Sequence, residues 1–170
     1  MDKKIKAKRQ IIKVAGKLRE LVTITDARGK ILQRFMNPIM VKFYARDVMQ
    51  IVVGASILAI PVAFTEETWR LGETLPMNNV ISLMLISLLF IGSFVYYNYY
   101  RGRMKEHKIE YIKRVTMTYL VSFLVVALLL TIIQRAPWDS NFTIAFSRTV
   151  IVAFPASMSG AVADILKEGY

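Results

Sequence analysis

Three carboxylates crowd one short stretch, PVAFTEETWRLGE (61–73): Glu66, Glu67 and Glu73 follow directly on a long apolar run. Acids at that density offer two kinds of chemistry. They can gather a hard cation such as Ca²⁺, which takes roughly six to eight oxygen ligands, so Glu66 and Glu67 are the candidate metal ligands. Repeated around an axis, they can ring a pore mouth and attract and partly dehydrate cations. A plainer role is open to them too: Glu66 and Arg70 stand at i,i+4, in the order that suits a helical ion pair. Other chemistries lack their residues. The chain has no cysteine, which removes disulfides, thiolate metal sites and cysteine nucleophiles, and His107 is its single histidine, set in the charged run RGRMKEHKIE. No clustered acid, base and nucleophile is visible, so the expectation is a non-enzyme with no catalytic residues and no resident cofactor, a cation such as Ca²⁺ entering as a permeant ion.

The elements that must position these acids are membrane spans. Of 170 residues, 55% are hydrophobic, and the mean hydropathy is +0.41, too apolar for an ordinary soluble domain. A bilayer core needs about 20 mostly apolar residues per helix, and four stretches qualify: 48–64, 80–97, 115–133 and 142–166. The predicted fold class is therefore all-α, a polytopic membrane protein with four transmembrane helices. Loop charge sets the orientation. The first 46 residues hold thirteen of the 23 Lys and Arg, and the loop 98–114 holds six more, Arg101, Arg103, Lys105, Lys108, Lys113 and Arg114. The other two loops hold only Arg70 and Arg135, with Arg148 further on. The positive-inside rule then places both termini in the cytoplasm and the protein in a cell membrane as a multi-pass chain. Tyr96, Tyr97, Tyr99 and Tyr100 mark the inner boundary, Trp69 and Trp138 the outer.

This orientation puts Glu66 and Glu67 at the outer mouth of the first span and Arg46 at its inner mouth. Stepping back by helical turns, Glu66 stands above Val62, Ala59, Ala55 and Val52, and Glu67 above Ala63, Ile60, Ser56, Val53 and Met49. With several copies around an axis, Val52, Val53, Ser56, Ala59, Ile60 and Ala63 line a passage, the acids form its selectivity ring, and the larger apolar residues form a dewetting gate. The competing reading takes the small residues as helix packing, with Gly54 in span one and Pro155 and Gly160 in span four at close contacts. Pro155 also frees a carbonyl that could meet an ion. Arg148 lies near the outer end of span four and Asp164 near its inner end.

Two domains are expected: a basic cytoplasmic arm, 1–46, and the four-span unit, 47–170. In the arm, Ile11, Ala15, Leu18 and Leu21/Val22, then Ile31/Leu32, Phe35/Met36, Ile39/Met40 and Phe43/Tyr44, recur at helical spacing. That predicts basic amphipathic helices on anionic lipid of the inner leaflet, with TDARGK as the turn between them. Nucleic acid is set aside as a partner, because no aromatic and basic platform accompanies the charge.

The segment GASILAIPVAFTEETWRLG (54–72) resembles a recurring pattern in small prokaryotic membrane proteins, carried here by Gly54, Pro61, Thr65, Glu67, Trp69, Leu71 and Gly72. FPASMSGAVAD (154–164) is similar to the closing stretch of that family, catalogued as integral membrane proteins of unknown function. The likeness covers roughly 45–165, leaves 1–44 outside, and implies the fold but no activity. In layout the chain is also similar to store-operated calcium channels, with four spans, both ends inside, basic residues at the inner end of the first helix and glutamates at its outer end. The expected function is an oligomeric cation channel, calcium-permeable on that likeness, self-associated in a lipid bilayer. The alternatives are a secondary transporter or anion pathway, and a non-transporting lipid-docked scaffold.

Overall fold

The computed structural model describes residues 6–14, 17–25, 31–38, 43, 45–100 and 107–166. The chain divides into two units, Met1–Val41 and Lys42–Tyr170.

The first unit corrects the expectation of amphipathic helices. It is a three-stranded antiparallel meander, β1 (Lys6–Val14), β2 (Lys17–Thr25) and β3 (Ile31–Pro38), in the order β1-β2-β3. Lys6 pairs with Thr25 and Val14 with Lys17; Arg19 pairs with Pro38, and the β2–β3 register shifts between Ile24 and Thr25. The reason is local. Val22, Thr23, Ile24 and Thr25 form an unbroken β-branched run, stiff at χ1 and suited to a pleated surface. Over so short a span, apolar residues three or four apart fit a strand pattern nearly as well as a helix, and the β-branched run decides. The expected turn at TDARGK falls on positions 26–30, outside the described residues.

The second unit contains the four expected spans. They are α1 (Ala45–Ala63), α3 (Met77–Val95) with a π-helical turn at Tyr96–Tyr100, α4 (Lys108–Ile132) and α5 (Phe142–Leu166). A short helix, α2 (Glu66–Thr74), lies between the first two spans. Pro61 has no N–H for the Ile57 carbonyl, and α1 ends two residues later. Thr65, extended at φ −90° and ψ 136°, then starts α2. Pro76 starts α3 in the same way. α4 begins at Lys108, earlier than expected, so Lys108, Lys113 and Arg114 belong to a span and not to a loop. Arg101, Arg103 and Lys105 lie outside the described residues. The far end of α4 closes with Gln134 in the left-handed region at φ 58°, while Arg135 N–H and Ala136 N–H both donate to the Leu130 carbonyl.

α5 is the central helix. Half of its most apolar window is buried, against 28% in each of the other spans, and it touches α1, α2, α3 and α4. The apolar core joins Ala55, Ala59 and Ala63 of α1 to Val126 and Leu130 of α4 and Val152, Ala153 and Ala156 of α5. Lipid tails are as apolar as leucine, so such helices associate through close packing, which small residues permit. The α1–α5 approach is the tightest: a Cβ on Gly54 would overlap Ala163 Cβ and stand 2.9 Å from the Ser159 carbonyl oxygen. Gly54→Leu must part the two helices, and we expect a loss of about 1–3 kcal/mol from overpacking. Ile57→Leu on the exposed side of α1 should leave stability unchanged, and thermal unfolding of both variants in detergent checks the contrast.

Candidate functional site

Both ends of the bundle are closed by an arginine drawn into the fold. We call the end where α1 begins and α5 finishes the terminal face, and the opposite end the far face.

At the far face, Arg148 of α5 is buried and serves three partners. Its Nε–H donates to the Trp69 carbonyl at 3.1 Å and an Nη1–H to the Arg135 carbonyl at 2.7 Å, while Nη2 pairs with Glu73. Its side chain runs across Gly72, where any Cβ would overlap Arg148 Cγ. Trp69 holds the arrangement from above: its indole N–H donates to the Ala63 carbonyl at 2.7 Å, and the Arg135 guanidinium lies 3.7 Å from its ring centroid. The cluster therefore ties α2 and the α4–α5 connection to α5. All three guanidinium nitrogens are occupied, and the fork geometry that does this is specific to arginine.

At the terminal face, Arg114 of α4 is 1% exposed. Its Nη1 meets Asp164 of α5 at 3.0 Å and its Nη2 meets Asp47 of α1 at 3.2 Å. The π-helical turn places the Tyr99 ring 3.9 Å from the guanidinium carbon, and Tyr99 O–H donates to the Asp164 carbonyl at 3.2 Å. Tyr100 packs edge-on against Tyr111. One cation thus joins three spans and the end of the fourth. Asp47 lies in the first turn of α1, where a negative charge suits the helix dipole. Asp164 lies in the last turns of α5, where it does not, and Arg114 compensates both the carboxylate and the helix end.

From Arg148 to Asp164 is sixteen residues, about 24 Å of helix. The two clusters therefore stand near the edges of a hydrocarbon layer about 30 Å thick.

The residues singled out from sequence are divided by the fold. Glu66 and Glu67 do not end α1; they occupy the first turn of α2, where carboxylates favour the helix dipole. Both are exposed, and Glu66 faces Arg70 at 3.6 Å with both side chains about three-quarters exposed. Ala59 and Ala63 are fully buried in the apolar core, and Val52 and Ser56 are partly covered. Val53 and Ile60 are exposed, with Met49, Ile57 and Phe64, along one uncovered side of α1, and Arg46 is exposed at its start. Gly160 lies against α1 and α4: a Cβ there would stand 3.0 Å from Ser122 Oγ and 3.2 Å from Ile51 Cγ2. Pro155 sits midway along an α5 that continues unbroken through it. Among the described residues of one chain, no group of three acidic, His or Cys side chains is placed to hold a metal ion.

Sequence reasoning missed the Arg114 cluster by counting Arg114 as loop charge. The signal was present in Arg114, Thr118 and Ser122, polar at four-residue spacing within an apolar run.

The family model described as "Putative integral membrane protein (DUF2391)" matches residues 22–166. The chain belongs to this family. DUF2391 proteins are integral membrane proteins of unknown function, and the match agrees with the likeness drawn from 54–72 and 154–164. It corrects the extent of that likeness: the DUF2391 region begins at Val22, inside β2, and so includes β3. Both charge clusters and α2 lie within it. No curated protein and no solved structure matches the chain.

Breaking a buried ion pair from one side strands the other charge. Arg114→Met should cost about 3–5 kcal/mol, and adding Asp47→Asn and Asp164→Asn should return much of it. A mutant cycle in which the two aspartates are changed together, followed by thermal unfolding, reads that coupling. At the far face, Arg148→Lys should fail to restore stability lost in Arg148→Gln, because a single ammonium cannot reach Trp69, Arg135 and Glu73 together.

Proposed function

We propose that the chain is one subunit of an oligomeric cation channel in a cell membrane, with both termini cytoplasmic. The observation that carries this reading is the division of α1 into two sides. One side, Ala55, Ala59 and Ala63, is spent on packing within the subunit. The other keeps a continuous stripe uncovered, Met49, Val53, Ile57, Ile60 and Phe64, with exposed Arg46 at one end. Exposed Glu66 and Glu67 follow just beyond the other end, at the start of α2. Apolar constrictions gate by dewetting, and carboxylate rings concentrate cations. In this arrangement Val53, Ile57 and Ile60 form the constriction, and Glu66 and Glu67 from each copy form the ring. Ala59 and Ala63 hold the subunit together and do not line the passage. Since the described residues of one chain bring together no metal site, a Ca²⁺ ligand set at this mouth would draw acids from several copies.

A second reading rests on a different observation. Ionisable residues inside membrane spans are costly and commonly mark transport pathways, and the Arg114, Asp47 and Asp164 cluster joins three spans. On that reading the chain is a secondary transporter with this cluster as its coupling site. Arg148 lends no support to an anion pathway, since its donors already serve Glu73 and two carbonyls.

The chain lacks cysteine, so single introduced thiols report cleanly. Val53→Cys and Ile57→Cys should each cross-link copy to copy under oxidation, whereas Leu89→Cys on the exposed side of α3 should not. Proteoliposomes should pass cations down a gradient without saturation, and Glu66→Gln with Glu67→Gln should weaken divalent block and selectivity. Flux that is saturable and coupled to a second solute, and lost in Asp164→Asn, would favour the transporter. The channel reading falls if the α1 thiols never cross-link and the glutamine variants conduct as the parent does.

A further inference from the structure

Three polar atoms within six residues of α4 are shut away from solvent without a hydrogen-bond partner: Arg114 Nε, Thr118 Oγ1 and Tyr119 O–H. The residues that carry them are 1%, 1% and 7% exposed. A buried donor left unmade is expensive, and such groups in folded proteins are nearly always met by protein or by water. Two of them, Arg114 Nε and Thr118 Oγ1, belong to residues one turn apart on the same side of α4 and call for a common cause.

Their arrangement supplies it. Arg114, Thr118 and Ser122 follow at i, i+4 and i+8 and stack along the buried side of α4. Ser122 is satisfied, its hydroxyl donating to the Thr118 carbonyl at 2.8 Å. Across from it stands Gly160, where an added Cβ would crowd Ser122 Oγ and Ile51. One turn further, Val126 belongs to the apolar core. A polar seam thus starts at the Arg114 cluster, runs about 12 Å into the bundle, and stops against Val126.

We infer that this seam is a binding site for internal water, held by Arg114 Nε and Thr118 Oγ1. The charges around it select the ligand. The guanidinium opposes a cation, and the Asp47 and Asp164 carboxylates on that same guanidinium oppose an anion. Water is neutral and both donates and accepts, and it needs two to four polar partners of the kind present here. The interior at the terminal end of α4 is therefore wet. This holds wherever a permeation path runs, since it concerns the interior of one subunit.

The sign of one substitution decides it. Thr118→Val keeps the side-chain shape and removes the hydroxyl. If that hydroxyl were dry and unpartnered, valine would raise the thermal midpoint of the full-length protein; with water bound there, valine lowers it, which is the result expected. A Thr118→Val midpoint at or above that of the parent overturns the inference.

Discussion

A charge carried into hydrocarbon must be met there by an opposite charge or by fixed dipoles, because water is no longer available to do it. α5 carries two such charges, Arg148 and Asp164, about 24 Å apart. The cation at the far face is met by Glu73 and by two backbone carbonyls, which fixes α2 and the α4–α5 connection in place. The anion at the terminal face is met by Arg114, which also engages Asp47. Every other helix is held to α5 at one of these two points or along its small-residue surface. The central position of α5 follows from its being the span that carries a charge at each end.

Between the clusters no charge acts, and the hydrophobic effect does little, since a helix leaves lipid tails for side chains of the same polarity. Contact area and closeness then decide, and Gly54, Ala55, Ala59 and Ala63 against Ala156, Gly160 and Ala163 supply both. This packing uses one side of α1 only. The sequence feature that suggested a narrow tube, small residues rising toward paired acids, is thus two features that happen to adjoin. The small residues are spent on α5, and the acids are placed by the start of a separate helix whose dipole favours them. Any passage built with α1 has to use the larger residues of its other side.

The four spans were legible because an apolar run of bilayer length has few other uses, and their limits held to within a few residues except at the start of α4, which lies seven residues before the expected 115. α5 matched its expected bounds, 142–166. The family was legible from 54–72, where the proline, glycines and tryptophan that end α1 and seat Arg148 are compressed into one motif. The meander was not, since apolar residues in a short basic segment fit helix and strand periods alike and only the β-branched run at 22–25 separates them. Nor was the Arg114 cluster. Loop-charge counting is designed to assign arginines near a span end to the water phase, and Arg114 is an arginine near a span end that folds inward. Asp47 and Asp164 were visible as acids at span ends, but their common partner lies 67 and 50 residues away in sequence, and no local pattern carries that distance.

The two halves of the bundle differ in a way that bears on where an ion could travel. At the terminal half the interior offers charges and hydroxyls at Asp47, Arg114, Thr118, Ser122 and Asp164. At the far half it offers Ala55, Ala59, Ala63, Val126, Leu130 and Val152 and is capped by a fully engaged Arg148; the hydroxyls buried there are already bonded, Ser87 with Ser157 and Thr149 to the Ala145 carbonyl. An ion crossing inside one subunit would leave the charged groups behind at Arg114 and, past the hydroxyls of Ser122 and of the Ser87–Ser157 pair, face close-packed apolar core with little to replace its hydration. A path between subunits avoids that barrier, because it needs only an apolar constriction wide enough to wet. The same packing that makes the single bundle a poor conduit leaves an uncovered apolar stripe on α1, as it does on α3 and α4, and a passage shared between copies would have to be built from such a stripe.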